Sequence, residues 1–470
     1  MKELLEVLVK IDDVVWGIPM IVLIMGTGIF LTARLGVLQF RHLGKALKYM
    51  VKNEEDGHGE VSSFGALCTA LAATVGTGNI VGVATAIVTG GPGALFWMVL
   101  AACFGMATKF SEGLLAIKYR VIDDEGHALG GPFMYIERGM GIKWKWLAKC
   151  FAIFGIGAGL LGIGTITQVN GIASATKNFF DPQSLNTVEL FGRDYSWAVV
   201  ITAVVVAVVT ALVVIGGIQR IASVTMIVVP FMIIVYVVAC ICILIFNFRE
   251  IPNAISTIFA SAFGLRAAAG GALGAMMIAM QKGVARGIFS NEAGLGSAPI
   301  AAAAAKTHEA TRQGLVSMTG TFLDTIVVCT MTGLAIMVTK SWNIGLEGVD
   351  VTINAFQSGL PWSNEVGSFV LMVCLAFFAF TTILGWDYYS ERCLEYLTGG
   401  NQPALKVYRW VYIFAVLIGP FLTLEAVWTL ADICNGLMAI PNLIALLALN
   451  GVIVAETRSY FKRLNNGQLK

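Results

Sequence analysis

Charge is the scarcest property of this sequence. Lysine, arginine, aspartate and glutamate together make up 13% of its 470 residues, whereas soluble domains carry about 25%. The formal net charge of +2 is too small to indicate a nucleic-acid partner, and no run of five like charges forms a tail. Hydrophobic residues account for 57%, and the mean hydropathy is +0.79. These values predict a protein that crosses a membrane many times.

The patterns that metal, redox or nucleotide chemistry requires are also missing. The four histidines lie in polar connecting stretches, and none pairs with another at ligand spacing. None of the nine cysteines forms a Cys-x-x-Cys pair. We find no GxxxxGK[ST] loop and no convergent set of acid, base and nucleophile. The sequence therefore predicts neither an enzyme nor an ATP-driven pump, and it predicts no cofactor.

Eleven apolar segments have the length of about 20 residues that a bilayer-crossing helix requires, although a count of ten or twelve stays open. If the N-terminus lies outside, seven of the 31 basic residues fall on the outer side and the other 24 on the cytoplasmic side. This split follows the positive-inside rule, so we predict an outside N-terminus and a cytoplasmic C-terminus. The segments are 14–33, 62–89, 93–117, 146–176, 196–215, 221–246, 269–303, 313–339, 364–397, 405–424 and 428–456.

The eleven segments divide into one leading helix and two groups of five. Because five is an odd number, two such groups have opposite orientations in the membrane, as in the inverted repeats of many secondary transporters. We predict a single transporter domain, 1–470, that contains an extra N-terminal helix, 14–33, a first repeat, 62–246, and a second repeat, 269–456.

Glycines interrupt the first segment of each group. "LAATVGTGNIVG" places Gly76, Thr77, Gly78 and Asn79 near the expected bilayer centre, and "AAAGGALGAMMIAM" spans 267–280. Backbone N–H and C=O groups that lose their partners in a broken helix are tolerated at membrane depth only where they line a cavity or bind a ligand. Carbonyls that end the first half-helix suit a cation, and N–H groups that begin the second half suit a carboxylate. The pattern therefore predicts two broken helices around a sodium-coupled amino-acid site, with close helix packing as the alternative.

Three blocks of the sequence resemble one family of carriers. "TALAATVGTGNIVGVATAIVTGGPGALFWM", "GVARGIFSNEAGLGSAPIAAAAAKT" and "FAFTTILGWDYYSERCLEYL" are similar to blocks of the alanine or glycine:cation symporter family, and the similarity covers about residues 14–457. The resemblance implies a carrier in the inner membrane of a bacterium or archaeon that takes up alanine or glycine with sodium, or less often with protons. It also implies an all-α, leucine-transporter-type fold in which one extra helix precedes a five-plus-five inverted repeat.

The resemblance further implies where sodium binds. In this fold the ion lies between the break of the first core helix and the eighth core helix. By position, this assigns the carbonyls of Ala72 and Val75 and the hydroxyls of Thr381 and Thr382. Oxygen ligands suit a hard cation. The alternative is that each hydroxyl bonds a carbonyl of its own helix.

The substrate is expected beside this ion. Its carboxylate would meet the backbone at the first break, and its ammonium would meet carbonyls freed at residues 270–274. Packing or an interhelical hydrogen bond is the alternative for the side chains in this set. No arginine is predicted in the cavity, which favours a zwitterion over a dianion. The predicted substrate residues are Thr74, Gly76, Thr77, Gly78, Asn79, Gln168, Gly270, Leu273, Gly274, Met277 and Trp386.

Four polar residues are candidates for a gate or a proton site. Asn291 and Glu292 belong to the second block, where a solvated helix end is the alternative reading. Asp324 and Asp387 are acids within apolar segments, and intramembrane acids are functional candidates by default. Either acid could carry a proton if coupling is protonic.

The favoured function is therefore sodium-coupled uptake of alanine or glycine by a monomer surrounded by membrane lipid. A proton-coupled carrier is the alternative. A channel is less favoured because the sequence has no filter motif.

Overall fold

The structure is a computed structural model that describes residues 2–52, 57–124, 126–190, 193–264, 271–422 and 425–469. The predicted substrate residue Gly270 lies outside this part. Within it, the chain is helical apart from one isolated bridge and two antiparallel hairpins. These hairpins pair β1 (Val121–Ile122) with β2 (Ala128–Leu129) and β3 (Thr187–Leu190) with β4 (Arg193–Ser196). The all-α prediction is confirmed.

Helices fill both halves of the chain. The first half contains α1 (Lys2–Val15), α2 (Ile18–Arg34), α3 (Leu38–Arg41), α4 (Leu43–Val51), α5 (Ser63–Thr74), α6 (Val83–Gly90), α7 (Gly93–Tyr119), α8 (Pro132–Met134), α9 (Lys145–Leu161), α10 (Ile166–Phe180), α11 (Trp197–Val214) and α12 (Gly217–Phe246). The second half contains α13 (Ile251–Ala262), α14 (Ala272–Asn291), α15 (Ala298–Ala302), α16 (Ala310–Thr321), α17 (Thr330–Val338), α18 (Val349–Gly359), α19 (Asn364–Thr398), α20 (Gln402–Ile418), α21 (Glu425–Ala448) and α22 (Asn450–Asn465).

Shorter segments join some of these helices. Three are π-helical: Gly78–Gly82, Tyr135–Met140 and Phe322–Cys329. Four are 3₁₀-helical: Ile142–Trp144, Phe248–Glu250, Ser341–Asn343 and Gly419–Phe421.

Nine helices in the described residues are long and apolar enough to cross a membrane, or ten when the bent pair of α5 with Gly78–Gly90 counts as one span. The sequence predicted about eleven. Helix α14 has sufficient length, but Gln281, Lys282 and Arg286 reduce its apolarity. The first span begins at Leu5 rather than at residue 14, because α1 and α2 form one apolar stretch, Leu5–Arg34.

The predicted interruption of the first core helix is present. Helix α5 ends at Thr74, Val75 is extended with φ −77° and ψ 90°, and Gly78–Gly82 continues as a π-helical segment into α6. The two halves meet at 54°. The break therefore falls within the glycine-containing segment at residues 75–77.

The described part of the second predicted interruption, residues 271–280, contains no break, and residues 267–270 lie outside the described part. Helix α14 is continuous, with Gly271 as its N-cap and Leu273, Gly274 and Met277 in its first two turns. A helix start exposes N–H groups and not carbonyls, so the described residues 271–274 do not offer the predicted carbonyls to an ammonium. The chain instead breaks at 292–297, where Glu292, Gly294 and Gly296 have φ of 54°, 94° and 84°.

Helices α7 and α19 hold both breaks in place. Helix α7 contacts α14 and α16, and α19 contacts α5, α9, α10 and α12. A β-carbon on Gly283 would lie 2.2 Å from the carbonyl oxygen of Ala94, so the backbones of α14 and α7 touch. This close packing positions the polar side chains described next.

Candidate functional site

Side chains already satisfy the backbone N–H groups of the first break. Asn79 Oδ1 accepts from Gly76 N at 2.8 Å, and Gln168 Oε1 accepts from Thr77 N at 3.3 Å. Gln168 Nε2 in turn donates to Ile163 O at 3.0 Å, whereas Thr74 bonds back to its own helix at Ala70 O, 3.2 Å away. The structure thus brings Gly76, Thr77, Asn79 and Gln168 together.

The two threonines predicted to bind sodium face different neighbours. Thr382 Oγ1 lies 3.5 Å from Val75 O and 3.0 Å from Phe378 O. Thr381 Oγ1 also bonds Phe378 O at 3.0 Å, but its other neighbour is Met232 Sδ at 3.5 Å. Two of the predicted groups, Val75 O and Thr382 Oγ1, therefore meet at the break, while the Thr381 hydroxyl faces α12.

Asp324 connects the first break to the end of α14. Its Oδ1 accepts from Asn79 Nδ2 at 2.7 Å, and its Oδ2 accepts from Ser290 Oγ at 2.8 Å and from Thr325 Oγ1 at 2.7 Å. Asn291 Nδ2 extends the network by donating to Thr325 Oγ1 at 3.0 Å. Every one of these side chains is buried. The Asp324 contacts described here come from neutral donors.

The second break is held by two carboxylates. Glu292 accepts from Trp386 Nε1 at 3.0 Å and from the Ser297 hydroxyl. Glu112, which the sequence reasoning missed, accepts from Gly294 N at 3.1 Å and from Asn442 Nδ2 at 2.7 Å. Trp386 therefore connects α19 to this break and is fully buried.

A cavity of about 330 Å³ reaches the first break from one side. Among the predicted substrate residues that the structure describes, only Thr77 and Gly78 line it. Its described lining is Thr77, Gly78, Val81, Gly82, Thr85, Thr167, Asn170, Gly171, Ser174, Arg286, Phe289, Val349 and Asp432. The polar groups from α10 were not predicted, because their approach to the break depends on how α10 packs.

Three predictions about this cavity are wrong. Leu273 and Met277 form no wall, because their side chains are 74% and 44% exposed, and a β-carbon on Gly274 would meet open space. An arginine does line the cavity: Arg286 lies with its guanidinium 5.7 Å from the centroid of the Phe289 ring. Two helical turns separate Met277 from the cavity-lining part of α14, so the sequence placed the wrong end of this helix at the site.

The mouth of the cavity contains a second hollow of about 200 Å³, which shares Thr85, Arg286, Phe289 and Asp432 with the first. Asp12, Asp13 and Trp16 of the N-terminal helices line it. Trp16 Nε1 donates to Asp432 O at 3.0 Å, and both Asp12 and Asp432 interact electrostatically with Arg286. We call this region the Arg286 mouth.

The opposite side is closed by backbone pairing around Arg120. Its guanidinium donates to four carbonyl oxygens, those of Ala303 and Ala305 at 2.6 Å, His58 at 2.7 Å and Thr307 at 2.9 Å. Val61 forms a parallel bridge with Ala305. Backbone bonds of 2.9 Å from Glu60 N to Ala304 O, 3.1 Å from Val61 N to Ala304 O and 2.7 Å from Lys306 N to Val61 O complete the Arg120 clamp.

Charged side chains surround this clamp. His127 Nε2 lies 2.7 Å from Glu395 Oε1 and its Nδ1 3.3 Å from Glu60 Oε1. Hydrogen bonds to Glu395 and then Glu60 raise the pKa of His127 to about 9. Asp387 interacts electrostatically with Glu391, Arg409 and Arg392. It therefore belongs to the charged groups on the side of the Arg120 clamp. It is not in the network around Asp324.

Two interrupted helices face each other inside a helical membrane protein, and in the described residues the cavity beside them opens toward the Arg286 mouth. This arrangement defines a secondary transporter. The fold is similar to that of MhsT, crystallised in complex with L-phenylalanine, with a TM-score of 0.58 and 15% identity over 85% of this chain and 93% of MhsT. The likeness establishes a leucine-transporter-type fold.

The chain belongs to the Sodium:alanine symporter family, which it matches over residues 1–470. Sodium/alanine symporter AgcS of Methanococcus maripaludis is 47% identical over 459 residues, 96% of each chain. An uncharacterized transporter of Haemophilus influenzae is 54% identical over 461 residues, 98% of this chain and 96% of that protein. The probable sodium/glutamine symporter GlnT of Bacillus subtilis is 36% identical over 479 residues, which cover 100% of this chain and 93% of GlnT. The chain is a multi-pass secondary symporter and not an enzyme.

Proposed function

We propose that this protein takes up alanine or glycine together with sodium by alternating access. Family membership and the sodium/alanine relative support this substrate and this ion. The observation that carries the mechanism is the contrast between the two sides: the cavity reaches Thr77 and Gly78 from the Arg286 mouth, and the Arg120 clamp joins the backbone on the other side. A carrier requires such one-sided access, whereas a channel requires a continuous path.

We further propose that the Arg286 mouth faces outward and that the clamp faces the cytoplasm, in an inner membrane. The distribution of basic residues supports this orientation, because loops 34–61 and 118–149 on the clamp side are the richest in lysine and arginine. The five-plus-five division into 62–246 and 269–456 is also a proposal. It is supported by the place of the second break, 292–297, because that break again falls in the first core helix of its group.

The substrate carboxylate, in this proposal, displaces Gln168 from the N–H of Thr77. The contact from Thr77 N to Gln168 Oε1 is long, at 3.3 Å, and the positive end of the helix that begins at Gly78 favours an anion there. The cavity also contains one basic and one acidic side chain, Arg286 and Asp432. These complementary charges suit the carboxylate and ammonium of a zwitterion.

Sodium is proposed to bind where Val75 O and Thr382 Oγ1 meet, with the Ala72 carbonyl as the remaining candidate. The Thr381 hydroxyl faces Met232 and is not part of the proposed site. The separation of 3.5 Å between Val75 O and Thr382 Oγ1 is long for a hydrogen bond, so a cation between these oxygens would replace a weak contact. Proton coupling is the second candidate. The buried Asp324 carboxylate favours it, because its described contacts come from the neutral side chains of Asn79, Ser290 and Thr325.

Uptake of radiolabelled alanine by proteoliposomes tests these proposals directly. A sodium gradient and a proton gradient are imposed separately at the same membrane potential. We expect saturable uptake that requires sodium and is competed by glycine. Uptake driven equally well by the proton gradient alone would replace sodium by proton coupling, and uptake that does not saturate would contradict a carrier.

A further inference from the structure

Lys109 places a charged group inside the protein without a direct partner. It lies in α7, and its side chain is 3% exposed. In the described residues, its Nζ has no hydrogen-bond partner. Because burying an unpaired charge is costly, an ammonium at this position requires a compensating electrostatic environment.

Lys109 faces a small, mostly apolar cavity that also contains four polar side chains. It lines a cavity of about 20 Å³ between α5, α15 and α16, together with Thr74, Asn291, Gln313 and Ser317. Gln313 Oε1 is also buried without a partner in the described residues. A space of this size holds about one water molecule. One water in this space would solvate the ammonium in part, but it would not neutralise the charge.

Three buried carboxylates supply the opposing charge. Lys109 interacts electrostatically with Glu112, Glu292 and Asp324. The close contacts of these acids described above come from amide, hydroxyl, indole and backbone donors, all of which are neutral. Three acids thus share one buried base, and with all four ionised the cluster is left with an excess of negative charge.

The residues around Lys109 adjoin the proposed ion site. Thr74 lines the Lys109 cavity, and the next residue, Val75, offers its carbonyl to Thr382. Asp324 bonds Asn79, whose side chain also accepts from Gly76 at the same break. A sodium ion that enters at Val75 and Thr382 therefore adds its charge to the cluster that contains Lys109.

We propose that Lys109 is a resident counter-ion that takes the place of one transported cation, and so determines how many cations accompany each amino acid. The inference rests on the proposed cation-coupled symport. When the ammonium is removed, the cluster becomes more negative by one charge, and one additional monovalent cation restores the balance. Lys109 acts through the charge of the cluster and does not contact the substrate.

The test measures the number of charges moved per alanine. Purified protein is reconstituted in vesicles whose potential is clamped, and the voltage at which net alanine flux vanishes is determined for fixed sodium and alanine gradients. We expect Lys109→Met to raise the ratio by one charge per alanine and Lys109→Arg to leave it unchanged. Lys109→Met also removes repulsion of the transported ion, so we expect half-saturation by sodium to fall about tenfold, an order of magnitude that Coulomb's law allows at an effective dielectric of about 20.

A double variant separates charge from structure. Glu112→Gln removes one acid and keeps an oxygen that can accept from Gly294 N and Asn442 Nδ2, so Lys109→Met with Glu112→Gln should return the ratio to that of the parent protein. The double variant also tests the proposal if Lys109→Met alone does not fold, because it removes the lysine without adding a negative charge to the cluster. An unchanged ratio and unchanged sodium dependence in a folded Lys109→Met variant would overturn the proposal, as would a double variant that still fails to fold.

The parent protein distinguishes the two levels of inference. Absence of cation-driven alanine uptake in the parent contradicts the proposed function. Cation-driven uptake in the parent, combined with variants that keep its ratio, contradicts only the role of Lys109.

Discussion

The two sides of the protein each contain an arginine, and the contacts of the two arginines differ. Arg286 lines an open cavity near the acids Asp12 and Asp432 and lies over the ring of Phe289. Arg120 donates to four backbone carbonyls from two separate segments. The open side thus presents a charge that a solute can reach, whereas the closed side uses its charge to join main chain to main chain.

The difference has an energetic consequence. A hydrogen bond that involves a charged group contributes about 1.5–3 kcal/mol, whereas an exposed ion pair contributes about 0–1 kcal/mol. The Arg120 clamp therefore holds its side more firmly than side-chain charges hold the Arg286 mouth. Ions and substrate must supply this difference through tighter binding to the state in which the clamp is open.

The largest expected effect comes from Arg120→Ala. Four carbonyls lose their donor, at about 1–3 kcal/mol for each group that stays buried, so the clamp should open and alanine uptake should fall by more than about tenfold. Hydrogen exchange of the protein in nanodiscs measures the opening at Glu60, Val61 and Lys306. Exchange within α7 is the control, and unchanged exchange at these three amides would show that the clamp does not depend on Arg120.

The proposed ion site between the two sides gives the next effect. Thr382→Val removes the hydroxyl that meets Val75 O, and we expect the half-saturating sodium concentration to rise about tenfold, which corresponds to about 1.4 kcal/mol. Thr381→Val is the matched control, because the Thr381 hydroxyl faces Met232 and not the break. Equal sodium activation of the two variants would contradict the assignment of Thr382.

Neutralising the open mouth should have a smaller effect. Arg286→Gln removes the positive charge from the cavity, and we expect KM for alanine to rise severalfold, which corresponds to about 1 kcal/mol, while kcat changes less. Arg249→Gln is the control, since Arg249 lies beside Phe248 on another surface. A fall in kcat with unchanged KM would instead assign Arg286 to the conformational change.

The smallest effect concerns the charges around the clamp. The pKa of His127 is raised from 6.5 to about 9 by Glu395 and Glu60. Its contribution to stability is therefore complete below about pH 6.5 and is lost as the pH rises through about 9. Because His127 is partly exposed to solvent, we expect this contribution to the free energy of unfolding to be about 1 kcal/mol. In nanodiscs, the thermal unfolding temperature of the parent should exceed that of His127→Gln at pH 6 but not at pH 10. An equal difference at both pH values would show that the charge of His127 does not cause the stabilisation.

The sequence predicted the first break because glycine and polar residues interrupted an apolar run there. It did not predict the break at 292–297, for a physical reason. Gly271 and Gly274 lie at the start of α14, where they leave the helix continuous, whereas Glu292 adopts a left-handed conformation that the surrounding contacts stabilise. Glycine content alone did not distinguish these two situations.

The residues of the site were predictable to different degrees. Val75, Thr77, Gly78 and Asn79 follow from the interrupted helix. Glu112 and Lys109 could have been found with the rule that directed attention to Asp324, since each is a charge inside an apolar segment. Arg120 could not, because its partners are carbonyls about 60 to 190 residues away along the chain, and no side-chain pattern specifies them.

The bridge between Val61 and Ala305 uses main-chain atoms only. The hydrogen bonds therefore do not depend on the identity of the side chains at 61 and 304–306, provided that the side chains fit. Lys306 is exposed, so a spectroscopic reporter attached there would leave the hydrogen bonds intact. Proline is the exception, because at Val61 or Lys306 it would delete a donor. Scanning these positions with proline would thus identify the seam at which the Arg120 clamp separates.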